Sequence, residues 1–211
     1  MPKTLPPTKP GKSYHHGDLK NALLAAGIAL LEAEGQPGLT LRSLAAKVGV
    51  SHTAPKNHFG SLRGLLTAIA TEGFIRHAAF MQAGVRAATG RKDRLTAAMQ
   101  GYVRFARAHP HLFGLMFSAE LCDWTDPMLG AAATQSYAVL INISKGLDWD
   151  KATAPGAARR TEMMLWSLVH GYATLALSGQ FAGGPAGAVN FDIADVMPDF
   201  SYLPQFEALD P

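Results

Sequence analysis

Apolar residues recur every three to four positions along most of this 211-residue chain, the spacing of a helix that buries one face. The pattern begins after Asp18, which we expect to cap the first helix, and continues to Gly35, which we expect to end it. No long stretch of the sequence alternates apolar and polar residues as a half-buried strand does. Because helix is the one periodic signal, the sequence predicts an all-α fold.

The helical segments near the N-terminus are short and closely spaced. Thr40 is placed to cap a second helix, Gly49 to break it in a tight turn, and Ser51 to cap a third. Two helices joined by a glycine-containing turn are typical of a helix-turn-helix unit. Ser61 then opens the longer helical patterns of the remaining chain. We therefore expect a three-helix head followed by a larger helical body.

Composition divides the chain into four parts. Residues 1–13 contain four prolines and three lysines, which predicts a flexible basic arm. The head occupies residues 14–61 and the body residues 62–181. Residues 182–211 combine glycine and proline with many apolar side chains. This composition predicts an irregular tail that docks on the body or on a partner subunit.

Charge is distributed unevenly between the head and the body. Residues 1–64 hold eight basic and three acidic side chains, whereas the rest of the chain holds 11 basic and 13 acidic ones. A basic head on a slightly acidic body indicates that the head meets a polyanion. A solvated, lysine-bearing surface explains the charge alone equally well.

The cysteine count and the hydropathy of the chain indicate the cellular compartment that we expect. The single cysteine, Cys122, excludes an intramolecular disulfide and suits the cytoplasm. No apolar run approaches the roughly 18 residues of a membrane span, and the N-terminal residues lack the apolar core of a signal peptide. We expect a cytoplasmic protein without a membrane partner.

The third predicted helix is short and polar. Its side chains can hydrogen-bond outward, as a helix in the DNA major groove requires; they are Ser51, His52, Thr53, Lys56, Asn57 and His58. Pro55 lies near the first turn, where a missing N–H costs little. A polar surface loop that Pro55 ends is the alternative interpretation.

Longer motifs resemble a known family. The run TLRSLAAKVGVSHTAPKNHFGSLRGLL resembles the DNA-binding head of the TetR-type transcriptional regulators, and YHHGDLKNALLAAGIALLEAEG resembles the first helix of one branch. That branch carries a Trp-His-Gly (WHG) C-terminal domain, which Trp166, His170 and Gly171 match. The resemblance covers residues 14 to about 180. It implies a homodimeric, non-enzymatic repressor, without a cofactor, whose affinity for a palindromic double-stranded DNA operator is controlled by a small-molecule ligand. The few charged residues on the middle helices of the body suggest that this ligand is apolar or aromatic.

Family contacts with DNA carry over position by position. His58 and Phe59 match the usual end of the recognition helix, but Lys56 stands where a tyrosine is usual and offers a phosphate a less directional charge. The DNA-binding residues that we expect are Tyr14, His15, Thr40, Arg42, Ser51, His52, Thr53, Lys56, Asn57, His58 and Arg63. Of these, His52, Thr53 and Asn57 are expected at base edges, while Thr40, Arg42 and Arg63 are expected at phosphates.

The body is expected to bind the ligand and to dimerise. Methionine and aromatic residues suit a small-molecule pocket, which we expect to be lined by Met99, Tyr102, Phe105, Phe113, Met116, Phe117, Trp124, Trp166 and His170. Two late helices are expected to form a four-helix dimer interface through Met128, Tyr137, Leu140, Met163, Met164, Leu168, Tyr172 and Leu175. Ordinary core packing is the alternative for both sets.

Two other functions compete with regulation. An enzyme lacks support, because no nucleophile–base set or phosphate-binding glycine loop is visible in the sequence. His15 and His16 have no Cys, Asp or Glu at a ligand spacing, so we expect no metal site. A non-regulatory binding module, whose head contacts protein, remains open because of the departure at Lys56.

Overall fold

The computed structural model describes residues 16–147, 156–183, 188 and 191–200, with side chains from residue 19 onward. In chain order its helices are α1 (His16–Gly38), α2 (Leu41–Val48), α3 (Ala54–Phe59), α4 (Leu62–Ala87), α5 (Arg91–Ala108), α6 (Pro110–Met116), α7 (Pro127–Ser144), α8 (Ala157–Leu177) and α9 (Gln180–Gly183). A 3-10 helix, Ile193–Val196, follows. Within these ranges there is no strand, so the predicted all-α fold is confirmed. None of the described helices is both long and apolar enough to cross a membrane.

Helix α2 is fixed at both ends by its own sequence. The Thr40 hydroxyl accepts from the amide of Ser43 at 3.0 Å, and the Ser43 hydroxyl accepts from the amide of Thr40 at 2.9 Å. This reciprocal capping box satisfies amides that the helix itself leaves unpaired. At the other end Gly49 takes a left-handed φ of 73° and donates to the carbonyl of Ala45. The predicted cap and the predicted turn are both confirmed.

The first helix differs from the prediction at both ends. Helix α1 begins at His16, so Asp18 lies within its first turn instead of capping it. Gly35 breaks the regular geometry with a φ of 70°, as expected, but a further helical turn continues to Gly38. A positive φ costs glycine little, so the chain can bend there before α2 begins.

Helix α4 is the longest described element and runs through the body against α5 and α7. Its backbone lies almost against that of α5. A Cβ on Gly101 would come within 2.5 Å of the carbonyl oxygen of Phe80, and a Cβ on Gly84 would come within 3.0 Å of the side chain and carbonyl of Ala97. The two glycines therefore allow a close crossing that larger residues would push apart.

The head is attached to the body partly through α1 and α6. The carboxylate of Glu32 accepts from the backbone amide of Leu112 at 2.9 Å, in the first turn of α6. His111 Nδ1 donates to the backbone carbonyl of Glu32 at 3.2 Å. Amides in a first helical turn have no partner within their own helix. Glu32 of the head therefore stabilises a helix of the body.

The described part of the tail docks on α5 and α8. Ile193 and Phe200 are buried, and the side chain of Gln100 on α5 donates to Asp192 at 3.0 Å. The hydroxyl of Tyr172 on α8 donates to the backbone carbonyl of Phe191. Residues 201–211 lie outside the described ranges. The segment 191–200 thus adds a layer to the body of its own protomer.

Candidate functional site

The predicted DNA-contacting side chains of the head are mostly exposed. Those on α2, on α3 and in the turn between them are Thr40, Arg42, Ser51, His52, Thr53, Lys56 and Asn57. His58 is half-buried beside Phe59, with ring centroids 6.5 Å apart. The buried positions of these helices are Leu44, Ala45 and Pro55. Apolar contacts therefore hold the helices in place while their polar groups remain available to a partner.

The start of α3 differs from the sequence prediction. The prediction that Ser51 caps this helix is wrong, because its hydroxyl bonds the hydroxyl of Thr53 at 3.0 Å instead of a backbone amide. Thr53 already has helical dihedral angles, and the helix begins at Ala54. Ser51, His52 and Thr53 consequently lie in the turn that precedes α3. Pro55 lies in the first turn of α3, where its missing N–H removes no helical bond.

The sequence around α2 and α3 contains no acidic residue. None occurs between Glu34 and Glu72, whereas Arg42, Lys47 and Lys56 lie in that interval and are exposed. Lys47, in the last turn of α2, was not among the predicted contacts, although the absence of neighbouring acid is visible in the sequence. Unopposed cations on neighbouring helices produce a local positive potential that favours a polyanion.

Arg63 also contacts the body. Its guanidinium donates to the backbone carbonyl of Cys122 at 2.8 Å, in the loop between α6 and α7. One turn further along α4, the hydroxyl of Thr67 accepts from the backbone amide of Asp123 at 2.9 Å. Arg63 is exposed and bonds the body through one of its donors, so its predicted role at a phosphate stays a prediction. No local pattern indicates this partner, since the two residues are far apart in the chain.

Two predicted DNA contacts, Tyr14 and His15, lie outside the described residues, as does the basic arm of residues 1–13.

A cavity of about 310 Å³ opens within the body between α4, α5, α7 and α8. Its wall is formed by Phe74, His77, Met81, Met99, Tyr102, Phe117, Trp124, Ala133, Thr134, Ser136, Tyr137, Leu140, Arg159, Trp166 and Val169. Five of the predicted pocket residues are in this wall: Met99, Tyr102, Phe117, Trp124 and Trp166. The volume falls at the lower end of the range for small-molecule sites.

Four predicted pocket residues do not line this cavity. Phe105 is fully buried among the rings of His77, Phe80 and His109. Met116 is buried against Gly73 of α4, where a Cβ would lie 2.7 Å from the methionine sulfur. Their apolar surface is thus already covered by the core.

Phe113 and His170 lie behind the wall instead of in it. The ring of His170 packs on Phe113 at 5.3 Å and on Phe117 at 4.7 Å between centroids. Phe113 in turn meets the ring of Tyr102 at 5.7 Å. These two side chains support the wall residues Phe117 and Tyr102 from outside the cavity.

His77 is the wall residue that sequence reasoning missed. It is 3% exposed, and its Nδ1 lies 2.7 Å from the hydroxyl of Ser136 on α7. Its other ring nitrogen, Nε2, is buried without a hydrogen-bond partner among the described residues. Burial, with a smaller electrostatic contribution from the nearby His170, lowers the pKa of His77 to about 3. The imidazole is therefore neutral at physiological pH.

Trp166 and His170 of α8 are one helical turn apart and both meet Tyr102 of α5. The Tyr102 hydroxyl and His170 Nδ1 are 2.8 Å apart. Burial raises the pKa of Tyr102 well above its usual range, and a hydrogen bond from the Trp166 indole acts in the opposite direction. Burial also lowers the pKa of His170. The Trp-His spacing thus gives α8 two polar contacts with one buried tyrosine.

The exposed rim of the cavity carries the one charged residue of the described wall, Arg159. Its guanidinium donates to the carboxylate of Glu162 at 3.0 Å and to the hydroxyl of Tyr137 at 2.8 Å. Tyr137 also donates to Glu162 at 3.0 Å. Burial, followed by contact with the Glu162 carboxylate, raises the pKa of Tyr137. Arg159 is therefore already paired where the cavity meets solvent.

The predicted dimer residues fall into two groups. Met128, Met163 and Leu175 are 67%, 41% and 47% exposed, while Met164 and Leu168 are half-buried. Leu140 and Tyr172 are buried within the protomer, and Tyr137 and Leu140 line the cavity. Leu140 and Tyr172 are corrected from interface to interior, because contacts within one protomer already cover them, whereas Tyr137 is half-buried and its place in the interface stays a prediction. Ile141 and Leu177 are further exposed apolar residues on the same two helices.

A family comparison connects the body with known regulators. Residues 95–195 match the family described as "Tetracyclin repressor-like, C-terminal domain". The chain is also 26% identical, over 76% of its length and 71% of the relative's, to an uncharacterized HTH-type transcriptional regulator of Mycobacterium tuberculosis.

Solved structures show the same fold. A protein of unknown function from Rhodococcus sp. RHA1 is 33% identical, with a TM-score of 0.71 over 88% of this chain and 93% of that one. The TetR family transcriptional regulator PfmR from Thermus thermophilus is 18% identical, with a TM-score of 0.53 over 72% of this chain and 84% of that one. Sequence motifs, head geometry and these similarities agree: the chain belongs to the TetR family of transcriptional regulators.

Proposed function

We propose that this protein is a repressor that binds a palindromic DNA operator as a homodimer and releases it when a small apolar or aromatic ligand fills the body cavity. The observation that carries this proposal is the double role of α4. Arg63 and Thr67 of this helix bond the loop at Cys122 and Asp123, while Phe74 and His77 further along it line the cavity.

The loop between α6 and α7 supplies the other half of the connection. Trp124 lies in the cavity wall and meets Phe74 edge-on, with ring centroids 5.9 Å apart. The preceding residues, Cys122 and Asp123, bond the head end of α4. A ligand that displaces Trp124 therefore acts on α4 at two places about 15 Å apart. Such a ligand can favour one orientation of the head over another.

DNA binding is proposed from the exposed polar groups of α2 and α3. His52, Thr53 and Asn57 are proposed to contact base edges, and Arg42, Lys47 and Lys56 to contact phosphates. One short recognition helix covers too little DNA for a specific site, so two heads are needed. The exposed apolar side chains of α7 and α8, with Met128, Met163 and Leu175 among them, are proposed to join the two protomers.

The test is fluorescence anisotropy with DNA from upstream of the protein's own gene, repeated over a salt series. Three phosphate contacts per protomer predict a slope of about −5 for the logarithm of the association constant against the logarithm of salt concentration. Binding that is indifferent to salt would contradict phosphate-driven recognition and would favour a head that contacts protein.

Arg63→Met tests the proposed coupling, with Arg76→Met as its control. Arg76 lies on the same helix, and its one ion-pair partner among the described residues is Glu72, near the surface. If Arg63 connects the head to the loop, its replacement keeps the salt slope and weakens the effect of ligand on DNA affinity, while the control changes neither. A slope reduced by about 2 for the dimer would instead make Arg63 a phosphate contact.

A further inference from the structure

We propose that the cavity takes an uncharged, flat aromatic molecule of one or two rings that carries a hydrogen-bond acceptor, a carbonyl or ether oxygen, for His77. Calling this molecule an effector rests on the proposed function, whereas its binding in the cavity does not require DNA. The proposal follows from the size, the charge and the unused hydrogen bond of the site.

Size and shape limit the ligand first. A volume of about 310 Å³ equals that of roughly ten water molecules at ~30 Å³ each. This leaves room for one or two fused rings with a short substituent. Six aromatic side chains in the wall offer flat faces and edges to such rings; they are Phe74, Tyr102, Phe117, Trp124, Tyr137 and Trp166.

The charged groups around the cavity restrict the charge of the ligand. No carboxylate is among the described wall residues, so a buried organic cation would find no counter-ion there. The neutral imidazole of His77 offers an anion no positive charge, and Arg159 at the rim is paired with Glu162. Burying an ion without a partner is costly. The wall therefore favours a neutral molecule over either ion.

The hydrogen bond at His77 sets the polarity of the ligand. Ser136 has no other hydrogen-bond acceptor among the described residues, so we assign its hydroxyl proton to the bond with His77 Nδ1. A neutral imidazole then carries its own proton on Nε2, the atom that lacks a partner. A buried donor without an acceptor is unfavourable. Nε2 has almost no accessible surface, so a ligand oxygen that accepts from it must displace a neighbouring wall side chain, and the bond then removes that deficit.

Three probes of one shape separate these requirements. 2-Acetylnaphthalene presents a carbonyl, 2-isopropenylnaphthalene replaces its oxygen by a methylene group, and 2-naphthoate replaces the methyl group by a charged oxygen. Calorimetry with the full-length protein measures each affinity. The ketone is expected to bind about tenfold more tightly than the alkene, and the carboxylate more weakly than the ketone. Equal affinity for ketone and alkene, or preference for the carboxylate or for a quaternary ammonium analogue, would overturn the proposal.

A double variant tests whether His77 causes the difference in affinity between the ketone and the alkene. His77→Phe combined with Ser136→Ala removes both members of the buried pair, so neither is left without its partner. The ratio of ketone to alkene affinity is expected to fall to about one. A ratio that stays near ten places the acceptor elsewhere. If the double variant does not fold, ¹⁵N spectra of the unmodified protein decide, because the Nε2–H resonance of His77 must shift with ketone and not with alkene.

The test of the ligand site and the test of the proposed function can fail independently of each other. A ketone that binds without changing DNA affinity supports the site and contradicts ligand control. A protein that binds its operator but discriminates none of the probes supports DNA recognition and contradicts the ligand assignment.

Discussion

The buried His77 predicts a specific loss of stability in mild acid. Its folded pKa is about 3, below the value of about 6.5 for an unfolded chain. Between these two values the unfolded chain binds a proton that the folded protein does not. Protonation therefore favours the unfolded state, and the free energy of unfolding decreases as the pH falls from about 6.5 toward about 3.

The magnitude at pH 5 depends little on the folded pKa. At that pH the imidazole of the folded protein is still almost entirely unprotonated. The loss of unfolding free energy therefore depends on how far the pH lies below the pKa of His77 in the unfolded chain. A difference of about 1.5 pH units at about 1.4 kcal/mol each gives about 2 kcal/mol. This is a large fraction of the stability of an ordinary domain.

The assay is urea unfolding at about pH 7.5 and about pH 5, at one protein concentration because dimerisation also contributes to stability. The unmodified protein, Ser136→Ala, and the double variant with His77→Phe and Ser136→Ala are compared. Ser136→Ala retains the buried imidazole and should keep the acid sensitivity. The double variant should lose about 2 kcal/mol less than Ser136→Ala when the pH is lowered. Other titrating groups are common to both variants and cancel.

Equal pH dependence of Ser136→Ala and the double variant would refute this reasoning. His77 would then be protonated in the folded protein, or equally exposed in both states. The first of these results would place a positive charge within reach of the cavity, and the inference that the ligand is uncharged would lose its premise.

The remaining predictions concern the α4–α5 crossing, the dimer and the head. Gly101→Ala should lower the free energy of unfolding by about 1–3 kcal/mol in urea titrations, because its Cβ would meet backbone of α4. Gly171→Ala is the matched control and should be near neutral, because its Cβ would meet no described residue within 4 Å beyond its neighbours in α8. Gly171→Leu should raise the dimer dissociation constant in analytical ultracentrifugation without unfolding the protomer if α8 faces a partner. Lys56→Met should weaken DNA binding on all sequences and reduce the salt slope by about 2 for the dimer. Asn57→Ala should instead relax sequence preference at an unchanged slope.

The sequence predicted the head well because the head is specified by local signals. Thr40 caps α2 through a residue three positions away, and Gly49 turns the chain through its own dihedral angles. Such features involve neighbours in the sequence and can be recognised there. The prediction that Ser51 caps α3 was wrong for an equally local reason. The hydroxyl groups of Ser51 and Thr53 are two residues apart and can bond either each other or the backbone.

The cavity could be predicted only in part because its wall is assembled from distant segments. Phe105 and Met99 lie on the same helix and have similar apolar character, yet only Met99 lines the cavity. Helical spacing gives the buried face but not which neighbour a buried side chain meets. His77 was missed for the same reason, since its partner Ser136 is 59 residues away in the chain. A lone histidine in an apolar pattern gives no sign of a distant hydroxyl.

The size of the cavity also bounds how strongly a ligand can act on the head. Roughly 10–15 non-hydrogen atoms at about 0.5 kcal/mol each supply about 5–8 kcal/mol of binding free energy. Reversing a two-state equilibrium from 1:99 to 99:1 requires about 5.5 kcal/mol of difference between the states. The ligand must therefore realise nearly all of its binding free energy in the conformation that releases DNA, and almost none in the conformation that binds DNA. Because coupling is reciprocal, saturating operator DNA should weaken ligand binding by the same factor by which ligand weakens DNA binding. Calorimetry on the DNA complex measures that factor, and a ligand affinity unchanged by DNA would exclude control through this cavity.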